Sequence, residues 1–146
     1  MRGSEGAPVR ARCKHPGRMA LRVGIDLVEV EAVRAALAAH GDAYLRRVYT
    51  EAEASDVHAD PQGLAARFAA KEAALKALRA GREAVPPTDI EVRREDDGDP
   101  TLVLHGRAAE LAERLGVEDI QVSLTHERSH AAAVVVMQVS EADRQS

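Results

Sequence analysis

Apolar and polar residues begin to alternate at Leu21, where the first regular pattern of the chain starts. The apolar positions are Leu21, Val23 and Ile25, and the positions between and after them are Arg22, Gly24 and Asp26. A period of two is typical of a strand that buries one face. The pattern therefore predicts a half-buried β-strand with Asp26 near its end.

Two helices are predicted after this strand. The first has apolar residues at helical spacing through an alanine-rich stretch, and it stops before Gly41, because glycine commonly ends a helix. Its apolar positions are Val30, Val33 and Leu37. Thr50, with Glu53 three residues later, has the form of a capping box. This pair predicts a second helix that begins at Glu51 and ends before Asp60-Pro61.

The strongest helical pattern runs from about residue 64 to residue 79. Alanine fills much of this segment, and the larger apolar residues form one stripe, Leu64, Phe68, Leu75 and Leu78. Lys71 falls within the stripe, where an ammonium group needs a reason. Either the side chain extends past its neighbours into water, or it points at an anion held against the helix.

The second half of the chain predicts a hairpin, a helix and two further strands. Short alternating runs at 90–92 and 102–104 flank turn residues, which is typical of an antiparallel hairpin. A helix at 108–115 follows, and strands at 120–124 and 131–139 complete the pattern. The last strand is apolar and β-branched enough to be central in a sheet.

The predicted order of elements, β, α, α, α, β, β, α, β, β, defines one α+β domain with a mainly antiparallel sheet packed against helices. We assign this domain to residues 21–140, and we expect a disordered leader at 1–20 and a flexible tail at 141–146. The leader carries five basic residues against Glu5, and it lacks the apolar core of a secretory signal. An alternative start at Met19, or an extension left by cloning, would account for the leader without any function.

Composition places the chain among ordinary folded intracellular proteins. Its 146 residues are 45% hydrophobic, which is enough for one globular core. The longest apolar run, 131–137, is far shorter than a membrane-spanning helix, so a membrane protein is excluded. With Cys13 as the single cysteine no internal disulfide can form, and we expect a cytoplasmic location. The scarcity of aromatic residues and a net charge of −4 argue against a nucleic-acid partner.

Three short segments combine polar side chains with a rigid support. They are Gly24-Ile25-Asp26, Arg67-Phe68-Ala69-Ala70-Lys71-Glu72-Ala73-Ala74-Leu75-Lys76 and Ser123-Leu124-Thr125-His126. Each has an ordinary structural explanation. Asp26 can cap the next helix or face water, and Glu72 with Lys76 is the i,i+4 pair of many solvated helices. Alternatively, this carboxylate and ammonium, one helical turn apart, suit a phosphate bound to magnesium.

Two histidines raise the question of a zinc site. His126 and His130 have the H-x-x-x-H spacing that binds zinc on a helix. Here they straddle a predicted turn between strands, and no third ligand lies nearby in sequence. We therefore predict no zinc site.

The three polar segments, in this order, resemble the holo-[acyl-carrier-protein] synthase family, the small 4′-phosphopantetheinyl transferases. The resemblance runs from about residue 23 to residue 139. It includes Gly-Ile-Asp-Leu-Val-Glu-Val, the Thr50–Glu53 segment, Arg-Phe-Ala-Ala-Lys-Glu-Ala-Ala-Leu-Lys-Ala and Ser-Leu-Thr-His-Glu-Arg. The two later long motifs together are specific for the family, whereas the Gly-Ile-Asp motif alone is not.

The resemblance implies a reaction, in which the 4′-phosphopantetheine arm of coenzyme A moves to a serine of an apo acyl carrier protein and 3′,5′-ADP is released. It also implies Mg²⁺ held by Asp26 and Glu72 together with the coenzyme A pyrophosphate. Lys76 would contact the phosphates and stabilise charge on the departing ADP. Arg67 and His126 would help to hold coenzyme A. Glu72 is also a candidate base for the serine proton.

The resemblance leaves several points open. Lys71 is assigned either structural support of the site or a contact with phosphate. For a chain of this size, the resemblance implies a homotrimer with coenzyme A bound between subunits. It also implies a role in fatty-acid or polyketide biosynthesis. The alternative from another class is a coenzyme A-binding trimeric scaffold without catalysis.

The first predicted helix departs from the family pattern at the surface that docks the carrier, which is usually acidic. Where the resemblance implies an arginine, this chain has Ala32. Arg34 lies two residues further on, about 200° around the helix, and cannot replace it on the same face. We expect either a less acidic carrier or compensation by Arg46 and Arg47. At His130, where an aromatic residue is frequent, we expect only altered packing.

Overall fold

The computed structural model describes residues 18–141, and its elements follow the predicted order with one additional helix. The strands are β1 (Arg18–Glu29), β2 (Ile90–Arg94), β3 (Pro100–Leu104), β4 (Val117–His126) and β5 (His130–Glu141). The helices are α1 (Val30–His40), α2 (Asp42–Val48), α3 (Glu51–Asp56), α4 (Pro61–Leu78) and α5 (Gly106–Leu115), with a 3₁₀ turn at Pro87–Asp89.

The ends of the domain lie slightly outside the predicted boundaries. β1 begins at Arg18, inside the segment assigned to the leader, and β5 includes Glu141, the first residue of the predicted tail. The rest of both predictions, at 1–17 and 142–146, lies outside the described residues. Within the described range, no helix is long and apolar enough to cross a membrane.

Helix α2 is the element that the sequence pattern did not predict. It has seven residues, of which Val48 is buried while Arg46 and Arg47 are exposed. Gly41 adopts φ +51°, a backbone conformation that glycine tolerates, and the chain turns there from α1 directly into α2. A helix of two turns is too short to show a recognisable apolar period, and it depends on packing for its stability.

Three strands form the main sheet in the order β1-β5-β4, and β2 and β3 form a separate hairpin. Every strand pair is antiparallel. β5 is central, as its apolar sequence predicts, and it pairs with β1 from Arg18↔Glu141 to Glu29↔His130. The predicted fold class, a single α+β domain with a mainly antiparallel sheet packed against helices, is confirmed.

Helix α4 lies at the centre of the domain and is buried on almost every side, including at three charged residues, Arg67, Lys71 and Glu72. Its many alanines allow the sheet to approach closely. A Cβ added to Gly24 of β1 would lie 1.8 Å from the Ala73 carbonyl oxygen and 2.9 Å from the Ala77 nitrogen. The backbone of β1 therefore rests directly on α4.

Strand β1 exposes the face that its hydrophobic residues predict to be buried. The predicted alternation is present, but the large apolar residues point away from α4. Leu21 is 68% exposed, Val23 60% and Ile25 65%. The reason is the close backbone contact at Gly24, which leaves no room for large side chains between β1 and α4. We call the exposed row the outer face of β1; its members are Met19, Leu21, Val23, Ile25 and Leu27.

Candidate functional site

Helix α4 and strand β1 bring two of the three polar segments together. Lys76 Nζ donates to Oδ1 of Asp26 at 3.0 Å and to the Ile25 carbonyl oxygen at 2.9 Å. The Asp26 side chain is 18% exposed and that of Lys76 is 56% exposed. Asp26 does not cap α1, whose N-cap is Glu29. The aspartate therefore faces the helix motif.

Glu72 lies one helical turn before Lys76 but has a different partner. Its Oε2 accepts a hydrogen bond from Nε of Arg82 at 2.9 Å. The side chain of Glu72 is 11% exposed, whereas that of Arg82 is 73% exposed. The i,i+4 pair that the sequence allows is thus replaced by two ion pairs with residues outside the helix. Arg82 was not anticipated, because a loop position carries no periodic signal.

The carboxylates of Asp26 and Glu72 fit the ligand chemistry of Mg²⁺. One oxygen of each carboxylate accepts a hydrogen bond from a basic side chain, Lys76 for Asp26 and Arg82 for Glu72. Within residues 18–141 the other oxygen accepts no hydrogen bond. Mg²⁺ is typically bound by one or two carboxylates, with phosphate and water as the remaining ligands. No cluster of three or more His, Cys, Asp or Glu side chains that could hold a metal occurs among the described residues. A metal at this pair would therefore take its remaining ligands from a substrate and water.

Lys71 lies in the core, and its three partners are protein groups. Its Nζ donates to Oε1 of Glu53 at 2.6 Å, to the Pro87 carbonyl at 3.1 Å and to the Ile90 carbonyl. The side chains of Lys71 and Glu53 are 1% and 0% exposed. Burial lowers the pKa of Lys71, while the nearby Glu53 charge opposes the shift. Of the two roles left open by the sequence, these contacts favour structural support.

Glu53 does more than cap a helix. The predicted capping box with Thr50 is present, so the start of α3 at Glu51 is confirmed. In addition, Oε1 of Glu53 binds Lys71, and Oε2 accepts from the Val92 backbone N–H at 3.1 Å. One carboxylate therefore joins α3, α4 and β2. The sequence showed only the local half of this network, because the other partners are 18 and 39 residues away.

Arg67 and His126 line one cavity of about 290 Å³, together with Asp56 and Arg94. Arg67 donates to Oδ2 of Asp56 at 3.2 Å, and its side chain is 2% exposed. Its Nε is buried and has no hydrogen-bond partner among residues 18–141, an arrangement that native proteins usually avoid. His126 is exposed at the end of β4. The cavity therefore joins the second and third motifs and offers donors to a ligand.

Comparisons with known proteins agree with this arrangement. Residues 22–135 match the family model of the 4′-phosphopantetheinyl transferase superfamily. The chain is 43% identical over 124 residues to a holo-[acyl-carrier-protein] synthase of Vibrio cholerae. This match covers 82% of this chain and 98% of the relative. A relative of the same name from Gloeobacter violaceus is 46% identical over 119 residues, with coverages of 78% and 89%.

A solved structure described as the ACPS–CoA complex of Chronobacterium ammoniagenes superposes on this chain with a TM-score of 0.74. The identity is 28%, and the match covers 84% of this chain and 99% of the other. The chain therefore belongs to the 4′-phosphopantetheinyl transferase superfamily, which is a superfamily of enzymes. Within the superfamily, the relatives it matches are holo-[acyl-carrier-protein] synthases. The family resemblance inferred from the three motifs is thereby confirmed.

Proposed function

We propose that this chain transfers the 4′-phosphopantetheine arm of coenzyme A to a serine of an apo acyl carrier protein and releases 3′,5′-ADP. The observation that carries the proposal is the Lys76–Asp26 contact, which joins the β1 and α4 motifs in a chain of this superfamily. The relatives' name indicates the carrier, and the CoA-bound structure indicates the donor.

The chemistry assigns separate tasks to Lys76 and Glu72. The new bond joins the serine oxygen to the phosphorus that carries pantetheine, and the bond from that phosphorus to the phosphate of 3′,5′-ADP breaks. The exposed Lys76 ammonium would stabilise the charge that develops on the leaving phosphate. The carboxylate of Glu72 would accept the serine proton, directly or through a water molecule.

Asp26 and Glu72 would hold Mg²⁺ in this proposal. The metal would supply positive charge that polarises the pyrophosphate. Asp26, which is held by Lys76 at 3.0 Å, and Glu72, which is nearly buried, keep their carboxylates in place before substrate binds.

Arg67 and His126 would bind coenzyme A at the cavity that they share. Within the described part of the chain, the buried Nε of Arg67 is a donor without a partner, so an anionic group of coenzyme A would satisfy it. Asp56 already engages the other end of the guanidinium at 3.2 Å and fixes its orientation. Arg94 lines the same cavity and adds a second positive charge.

The proposed assembly is a homotrimer with coenzyme A bound between subunits, in which the outer face of β1 is covered by another copy. Leu21 and Leu27 of that face are 68% and 67% exposed, and continuous apolar rows of this kind mark interaction sites. Light scattering after gel filtration is expected to give three chains for the wild type and one for Val23→Asp. A wild type that stays monomeric at micromolar concentration would contradict the trimer.

The carrier would dock on α1 and α2, where the described surface is weakly basic. Arg34 is 54% exposed, and its Nε lies 3.3 Å from the Glu31 carboxylate, so its charge is partly neutralised. Ala32 is exposed on the same helix. Arg46 and Arg47 are the exposed cations of α2. The acceptor is therefore either a less acidic carrier, such as a polyketide or large fatty-acid synthase domain, or an acidic carrier held by those two arginines.

A cytoplasmic location stays a prediction.

The deciding experiment is intact-mass spectrometry of an apo acyl carrier protein after incubation with this protein, coenzyme A and Mg²⁺, beside an EDTA control. The expected result is one added phosphopantetheine group only when Mg²⁺ is present. Transfer that persists in EDTA would contradict the proposed requirement for Mg²⁺. Several apo carriers that remain unmodified while coenzyme A binds would favour the non-catalytic scaffold.

A further inference from the structure

Both carboxylates proposed as metal ligands are neutralised by cations. Lys76 lies 3.0 Å from Asp26, and Arg82 lies 2.9 Å from Glu72. These four side chains carry no net charge together. A divalent cation alone would place two further positive charges beside two cations, which Coulomb repulsion opposes. A cation that arrives with the doubly negative pyrophosphate of coenzyme A would leave the site neutral.

Arg82 has free donors for that pyrophosphate. Its Nε binds Oε2 of Glu72, and within residues 18–141 its two terminal amino groups make no hydrogen bond. The side chain is 73% exposed, so these donors face solvent. A guanidinium fork can bind two phosphate oxygens at once, which a lysine ammonium cannot match in geometry.

The loop that carries Arg82 is fixed at both ends. At its start, Arg79 caps α4 with φ +54°, and its N–H bonds to the Leu75 and Lys76 carbonyls. At its far end, Val85 is 2% exposed and anchors the loop in the core. Arg82 lies three residues from each of these points and is therefore held beside Glu72.

We propose that Arg82 couples metal binding to coenzyme A binding. In the free protein its guanidinium neutralises Glu72 and opposes binding of the metal alone. When metal and coenzyme A bind together, the same guanidinium binds pyrophosphate oxygens. This inference rests on the proposed function, because it takes the Asp26–Glu72 pair as the metal site.

The test is the affinity for Mn²⁺, a spectroscopic substitute for Mg²⁺, measured by the EPR signal of the free ion with and without coenzyme A, in the absence of a carrier protein. For the wild type we expect weak binding of Mn²⁺ alone and an affinity about tenfold higher with coenzyme A, within the usual range of coupling between two ligands. Wild-type affinity for Mn²⁺ that does not change with coenzyme A would overturn the proposal.

Arg82→Ala is expected to have opposite effects on the two measurements. Mn²⁺ alone should bind roughly three- to tenfold more tightly, because a screened positive charge beside the site is removed. The gain in Mn²⁺ affinity caused by coenzyme A should shrink to about twofold. Arg82→Lys keeps the charge without the fork, so it should restore weak binding of Mn²⁺ alone but not the full gain.

Arg79→Ala is the matched control, since it removes one positive charge from the same loop without removing a contact to Glu72. It should behave as the wild type in both measurements. If Arg82→Ala leaves the affinity for Mn²⁺ alone unchanged or lower, or leaves the gain with coenzyme A unchanged, the proposal is wrong. Failure of the proposed function would be seen separately, as absence of arm transfer by the wild type, and would not alter the Mn²⁺ result.

Discussion

Two lysines of the same helix form ion pairs with carboxylates, yet their surroundings differ completely. Lys71 binds Glu53 at 2.6 Å, and both side chains are buried. Lys76 binds Asp26 at 3.0 Å, with 56% of the lysine side chain and 18% of the aspartate side chain exposed. The two lysines are five residues apart on α4, and the apolar stripe marks Lys71 as the unusual one, but local sequence does not identify the partner of either.

The difference teaches which ion pair can take part in chemistry. A buried pair that also binds backbone groups cannot exchange partners without leaving an uncompensated charge in the core. An exposed pair is stabilised by at most about 1 kcal/mol, and it can give way to a substrate. Lys71 therefore holds the scaffold together, whereas Lys76 can change partners, as its proposed contact with phosphate requires.

The largest expected effect comes from breaking the buried pair. Lys71→Met would leave the Glu53 carboxylate buried without its cation, and we expect a loss of about 3–5 kcal/mol in the free energy of unfolding. Urea unfolding followed by circular dichroism measures it. Lys76→Met is the matched control, with a change below about 1 kcal/mol. If both variants lost the same free energy of unfolding, the difference in burial between the two ion pairs would have no effect on stability.

The next effect concerns Glu72, the carboxylate one helical turn before the exposed lysine. Glu72→Gln keeps the shape of the side chain but is a poorer metal ligand and cannot accept a proton. We expect the rate of transfer to fall about 100-fold or more, with the oligomeric state unchanged. Glu83→Gln, an exposed position nearby in the following loop, should leave the rate unchanged. Unchanged turnover for Glu72→Gln would mean that the metal assignment is wrong.

A smaller effect is expected when Lys76 itself is changed. Lys76→Ala removes one exposed charge from the leaving-group side of the reaction, and kcat should fall about 10- to 100-fold. Because the pair with Asp26 contributes little to stability, the unfolding midpoint should stay close to that of the wild type. A loss of stability without a loss of kcat would assign Lys76 the same structural role as Lys71.

The smallest effect concerns carrier docking. If Ala32 reflects a less acidic carrier, kcat/KM for its preferred carrier should change less than about threefold between low and physiological salt. A steep loss with salt would contradict this expectation and indicate docking through Arg46 and Arg47. Alanine at both positions would then flatten the salt dependence.

The local elements could largely be predicted from the sequence, because each leaves a periodic or capping signal. The Thr50–Glu53 capping box, the end of α1 before Gly41 and the central place of β5 were all predicted correctly. The three motifs also indicated the superfamily. Helix α2 escaped detection because its seven residues are too few for a recognisable period.

The pairing of charged residues, by contrast, was decided by the tertiary structure. Nothing near Lys71 in the chain shows that Glu53 neutralises it, nor does the local sequence show that Glu72 binds Arg82.

The faces of β1 show the same division between sequence and structure. Alternation defines a strand with two unlike faces, because successive side chains point to opposite sides. Which face meets the core depended on the backbone contact between Gly24 and α4, which leaves no space for large side chains. The sequence by itself thus determined the elements and the chemistry available to them. Long-range packing alone decided which side chains lie buried and which remain available to a ligand.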